Sequence, residues 1–226
     1  LAIYAFSVQI YCDFSGYTDM AVGVSLLLGI NLPSNFLSPY QASSITDFWK
    51  RWHITLSNFL RDYIYIPLGG NRKGLSLQSR NLIFTMLLGG LWHGASWTFV
   101  IWGGIHGLGL TIVRLKNEFL GNFLRLPRLL SIFLTFNFVS FAWIFFRAKT
   151  ITKSFEILNQ LKVFDLSSFS QFCSENSFPI ILIIFFLLTH RWDNWQKLKE
   201  ISKNLPSRIF IPLVFILWLI IISFAS

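Results

Sequence analysis

Two histidines stand out against their surroundings. His93 lies in LLGGLWHGASWTFVIWGGIHG (87–107) and His53 in SITDFWKRWHITLSNFLRDYIYI (44–66). Residues 81–113 hold no Asp, Glu, Lys or Arg, and Arg80 and Arg114 bracket them. An ionisable group inside such a run is costly to bury, which makes it a candidate for chemistry. An imidazole can meet that cost by staying neutral. A neutral, water-shielded imidazole can take a proton from an alcohol, an effect of about 10²–10⁴ in rate. The competing reading of His93 is a hydrogen bond to a neighbouring helix. His53 carries the same two readings, with more weight on an interfacial role. His106, between Gly104 and Gly107, reads as a helix–helix hydrogen bond, and His190, beside Arg191 and Trp192, as an interfacial anchor.

Further polar and aromatic residues are candidates to serve these two. Asp13 and Asp19 need partners if they face the protein interior, and Asp13 or Ser96 could orient His93. Arg61, with Asn58 one turn before it, suits a phosphate-bearing substrate or lipid headgroups. Trp49, Trp52, Trp92 and Trp97 are candidates to line a passage, or to pack. Several chemistries find no support. The sequence lacks HExxH, a P-loop and a GxSxG elbow. Cys12 and Cys173 are too few and too far apart for a disulfide framework or a zinc site. No metal and no permanently bound cofactor is expected.

The elements that must position these residues are set by composition. Of 226 residues, 54% are hydrophobic and only 13% charged, with a mean hydropathy of +0.57. A soluble domain usually carries about a quarter charged residues. The shortage points to an all-α, polytopic chain solvated by lipid. The net charge of +9 would suit nucleic acid in a soluble protein, but here Lys and Arg fall in short loops between apolar runs. No nucleic-acid partner is expected. The opening LAIYAFSVQIY has neither Met nor a basic leader, and is read as an internal start: the whole chain, 1–226, is expected to be the C-terminal part of a single membrane domain.

Spans of about 20 apolar residues are expected at 1–30, 129–146, 173–189 and 209–226. Residues 81–113 would make a straight helix of about 50 Å, too long for a hydrocarbon core of about 30 Å. Two short limbs that enter and return on one face suit the charge better. Loops 50–80, 114–128 and 191–208, with six, four and five Lys or Arg, then share one side, opposite the four of 147–172. By the positive-inside rule that side is cytoplasmic, and the glycines of 89–109 would let the limbs approach or break. Residues 45–66 carry Phe48, Trp49, Trp52, Leu56, Phe59, Leu60 and Tyr63 at helical spacing. They are expected as one amphipathic helix in the headgroup region, with His53 between Trp49 and Leu60.

The ordered set YCDFSGYTDMAVG, DFWKRWHITLSNFLRDYIYIPLGGNRKG, LLGGLWHGASWTFVIWGGIHG and WIFFRA resembles the membrane-bound O-acyltransferase family. The likeness runs to the branch that O-acetylates alginate and other polysaccharides, over residues 1 to about 150. It implies a multi-helix membrane fold with a central tunnel. His93 matches the family's catalytic histidine and His53 its second signature position. The resemblance further implies an acetyl group drawn from a cytoplasmic thioester such as acetyl-CoA. That group would cross a bacterial inner membrane to an extracytoplasmic acetyltransferase partner and a polysaccharide acceptor. A D-alanyl-transferring branch shares both histidines. The rival reading from another class is a proton-coupled transporter with His93 in the proton path.

Overall fold

The computed structural model describes residues 1–72, 74–121, 126–161, 169–193, 204–209, 211–212 and 214–216. Among these there are helices and no strand. Helix α1 is Ala2–Leu27. Two short helices follow, α2 (Ile45–Trp49) and α3 (Ile54–Leu60). The long helices α4 (Leu75–Trp92), α5 (Trp97–Phe119) and α6 (Arg128–Arg147) come next. Helices α7 (Ile151–Gln160), α8 (Phe169–Glu175) and α9 (Ser177–Thr189) complete the described order.

The α4–α5 hairpin is the centre of the fold, and glycine makes it. A Cβ on Gly90 would sit 2.2 Å from the Phe99 carbonyl oxygen, and one on Gly103 would sit 2.2 Å from that of Met86. The two backbones therefore touch directly, as small residues allow in membrane helices. At the tip, Gly94 has φ +153 and Ser96 caps α5 by accepting from the Thr98 N–H at 3.3 Å. At the open end, the Arg114 guanidinium donates to Gln78 Oε1 at 2.8 Å. The segment thus folds back on itself, and its two ends lie side by side. The limbs are longer than the sequence suggests, because each helix runs past its flanking arginine. They measure about 27 Å and 34 Å at 1.5 Å per residue.

Helices α5 and α6 are long and apolar enough to cross a membrane, and α8 with α9 forms a pair bent by 80°. The span expected at 173–189 is therefore broken. Helix α1 has the length of a span, but its polar cluster keeps it out of that apolar set. It packs on α6 through Ser7, whose hydroxyl donates to Ser140 Oγ at 3.0 Å, and Tyr4, which donates to Asn137 Oδ1 at 2.6 Å. Most of the expected span at 209–226 lies outside the described residues.

The amphipathic helix expected over 45–66 is not continuous. Ser44 caps α2, accepting from the Asp47 N–H at 3.1 Å, and the chain turns at His53, where φ is +42. Helix α3 then passes into a π-turn at Arg61–Tyr65, closed by the Ile66 N–H on the Arg61 carbonyl at 2.9 Å. The break carries the aromatic face inward. Phe48, Trp49 and Trp52 are buried with Tyr11, Tyr40, Trp102, Phe136 and Trp143 in one aromatic core. Of the expected apolar face, Phe48, Trp49, Trp52, Leu56 and Leu60 pack on protein, whereas Phe59 and Tyr63 stay exposed.

The hairpin contact is tested by a pair of substitutions. Gly103→Ala drives a methyl into the Met86 carbonyl, whereas Gly104→Ala meets only Leu87 Cδ2 at 3.6 Å. Thermal unfolding in detergent is expected to drop for Gly103→Ala, by about 1–3 kcal/mol or more, and to change little for Gly104→Ala.

Candidate functional site

His53 and His93 arrive at one place from different elements. His53 sits at the break between α2 and α3, in the left-handed conformation that costs a non-glycine residue roughly 1–2 kcal/mol. The turn is held from outside. Asn35 accepts from the Ile54 N–H through its carbonyl at 3.0 Å, and from the Thr55 hydroxyl through Oδ1 at 2.7 Å. His93 ends α4, its N–H donating to the Gly90 carbonyl at 3.0 Å, so the hairpin contact fixes its backbone.

Both imidazoles line an open cleft of about 520 Å³, with Phe6, Ile10, Asp13, Phe14, Trp92 and Phe146. Phe14 stands edge-on to His53 at 4.8 Å. Phe146 and Trp102 stand edge-on to His93 at 5.0 and 5.2 Å, and Trp92 lies between the two histidines, 6.1 Å from one and 5.0 Å from the other. Phe6, Ile10, Phe14, Trp92 and Phe146 give the cleft largely apolar walls, Asp13 adds a carboxylate, and the two imidazoles offer proton-accepting nitrogens. Among the described residues His93 makes no side-chain hydrogen bond, which leaves its ring free for a ligand. Burial pushes the His53 imidazole below its usual pKa, so it is neutral at neutral pH.

The other candidates divide between this cleft, a second cleft, the core and the tip of the hairpin. Asp13 and Trp92 join the histidines. Trp49, Asn58 and Arg61 instead line a cleft of about 510 Å³ with Lys50 and Arg114, bounded by α3, α4 and α5. Arg61 is paired with Asp62 at 2.7 Å there. Trp52 is core, 4% exposed and 5.1 Å from Trp143. Ser96 is spent on the α5 cap, and Trp97 is 72% exposed; neither joins the cleft. No grouping of three metal-ligating side chains occurs among the described residues.

His106 makes the interhelical hydrogen bond expected of it, accepting the Trp49 indole N–H on Nδ1 at 3.2 Å. Trp49 in turn packs on Trp102 at 5.9 Å. His190 is not an interfacial anchor: it is 2% exposed and accepts from the Tyr40 N–H at 3.2 Å. Tyr11 ties the same corner down through a hydrogen bond to Asp193. The sequence reading missed Phe6, Ile10, Phe14 and Phe146 as cleft residues. The signal was present, since 6, 10 and 13–14 fall one turn apart on α1 and Phe146 lies within WIFFRA.

His53 gives a test that separates its backbone from its ring. Asn tolerates the left-handed turn and Ala does not, so His53→Asn is expected to retain stability that His53→Ala loses by about 1 kcal/mol. The folded-state pKa of His53 lies below its unfolded value of 6.5. Its contribution is therefore present above pH 6.5 and lost as pH falls through the folded value. Acidification should lower the unfolding midpoint of the natural protein more than that of His53→Asn.

Residues 1–151 match the membrane-bound O-acyltransferase family, MBOAT. The chain is 52% identical over 155 residues to the "Peptidoglycan O-acetyltransferase" of Helicobacter pylori, covering 68% of this chain and 29% of that protein. It is 52% identical over 152 residues to the "Probable alginate O-acetylase AlgI" of Azotobacter vinelandii, covering 67% and 30%. The "Teichoic acid D-alanyltransferase" of Bacillus subtilis is more distant, 34% identical over 163 residues, covering 66% and 41%. The chain thus spans about three tenths of the length of its O-acetylating relatives. With both histidines, the LWHG hairpin and two thirds of its length inside the match, the chain belongs to the membrane-bound O-acyltransferase family, in the alginate O-acetylation branch.

Proposed function

We propose that the protein carrying this chain is a membrane O-acyltransferase that moves an acetyl group from a thioester donor, acetyl-CoA, toward an extracytoplasmic polysaccharide. The observation that carries the reading is the shared, open, aromatic-walled cleft of His53 and His93 in a chain of this family. His93 acts as general base. Its free nitrogen removes the proton from an acceptor hydroxyl while that oxygen attacks the thioester carbonyl. The tetrahedral intermediate then expels the thiolate, which takes the proton back from the imidazolium. His53 orients substrate or donates toward the carbonyl oxygen, an oxyanion-type role. Phe14, Trp92 and Phe146 keep water from hydrolysing the thioester.

The second cleft suits the donor's phosphates. Lys50, Arg61 and Arg114 converge on it, with Asn58 and the Trp49 face beside them. Lys50, Arg61 and Arg114 belong to the basic side of the chain, which the positive-inside rule assigns to the cytoplasm. An inner-membrane location, a tunnel joining the two clefts and an extracytoplasmic acetyltransferase partner complete the scheme.

Full-length protein in liposomes, supplied with labelled acetyl-CoA and polysaccharide, tests it. Label should move to the acceptor polymer. His93→Ala should cut that transfer by about 10²–10⁴ with membrane insertion unchanged. Wild-type transfer in His93→Ala would remove the base from the mechanism, and pH-dependent flux without acyl product would favour a transporter.

A further inference from the structure

A third cleft lies away from both histidines and adjoins the donor cleft, sharing Thr46, Lys50, Val113 and Asn117 with it. It is a groove of about 780 Å³ between the C-terminal half of α5 and the N-terminal half of α6, closed on one side by the start of α2. Its two ends differ in chemistry. At the helix ends stand Lys116, in the last turn of α5, and Arg128, the first residue of α6, with Lys50 and the hydroxyls of Ser43 and Ser131. Among the described residues none of these three cations makes an ion pair. The one carboxylate in the groove, Asp47, is already held by Arg51 at 2.7 Å.

The deeper end is apolar. Gly109, Ile112, Leu134 and Phe138 line it. Gly109 lies about 10 Å along α5 from Lys116, and Phe138 about 15 Å along α6 from Arg128. Ile112 is 62% exposed and Leu134 47%, so the groove opens sideways between two helices that are long and apolar enough to span. The bare Gly109 backbone brings it against the Phe138 ring: a Cβ there would come within 2.5 Å of Phe138 Cζ.

We propose that this groove is a binding site for an anionic phospholipid. The headgroup phosphate rests between Lys116 and Arg128, and an acyl chain runs inward along Gly109, Ile112 and Phe138. The order of chemistries along the groove is that of a lipid: cations and hydroxyls at the level where a spanning helix leaves the membrane, apolar side chains below. Unneutralised cations select a negative headgroup over a zwitterionic one. The inference stands apart from the acyl-transfer reading, because Lys116 and Arg128 line neither the histidine cleft nor the donor cleft.

Full-length protein, purified in detergent and titrated with lipid under native mass spectrometry, tests it. Phosphatidylglycerol should be retained and phosphatidylcholine should not. Lys116→Gln with Arg128→Gln should weaken phosphatidylglycerol binding roughly 25-fold, at about fivefold for each surface cation. Ile112→Trp, at an exposed position, should block the acyl end with all cations in place. Soluble glycerol phosphate should bind far more weakly than the lipid. Equal retention of both lipids, undiminished binding in the double variant and in Ile112→Trp, or glycerol phosphate binding as tight as lipid would each overturn the proposal; the last would mark a phosphate site alone.

Discussion

The contact between the α4 and α5 backbones is the constraint on which the site depends. Gly90 lies against Phe99 and Gly103 against Met86, with no room for a methyl group on either. Dispersion between close-packed backbones replaces the hydrophobic drive that lipid does not supply. The register fixed there decides where the hairpin ends, and His93 is the residue at that end. A slip by one helical position would rotate the imidazole by about 100° and take it out of the cleft. The catalytic candidate is therefore positioned by glycines that never touch a substrate.

The second histidine is positioned by strain. His53 occupies left-handed backbone that few residues accept, and the surrounding structure over-determines it. Asn35 binds the start of α3 from one side, while Phe48, Trp49 and Trp52 anchor the preceding residues in the aromatic core. A left-handed residue at a break between two short helices is an unstable arrangement by itself. It persists here because both flanks are held by groups distant in sequence.

Much of this was legible in the residues, and what was not has identifiable causes. The helical class and the fold-back of 81–113 followed from charge spacing and span length, which are averages over many residues. The ends of the limbs did not, because Arg80 and Arg114 bracket the charge-free run without ending the helices: Arg80 makes a hydrogen bond to Asn81, and Arg114 pairs with Gln78 and Glu118. The face made by Phe48, Trp49 and Trp52 was visible as periodicity, but periodicity does not say whether such a face meets lipid or protein. The turn at His53 had no local signature, since neither Gly nor Pro stands there. The pairing of His53 with His93 joins residues forty apart through tertiary packing, and only the resemblance brought them together in advance.

The hydrogen bond from Trp49 to His106 has a consequence for how the two clefts communicate. The Trp49 face belongs to the basic cleft, its indole N–H is pinned by His106, and its ring packs on Trp102, which in turn stands against His93. Interiors this closely packed transmit displacement instead of absorbing it. Displacement of that indole is shared with the Trp102 and His93 rings, so the two clefts are mechanically joined through three packed aromatic side chains.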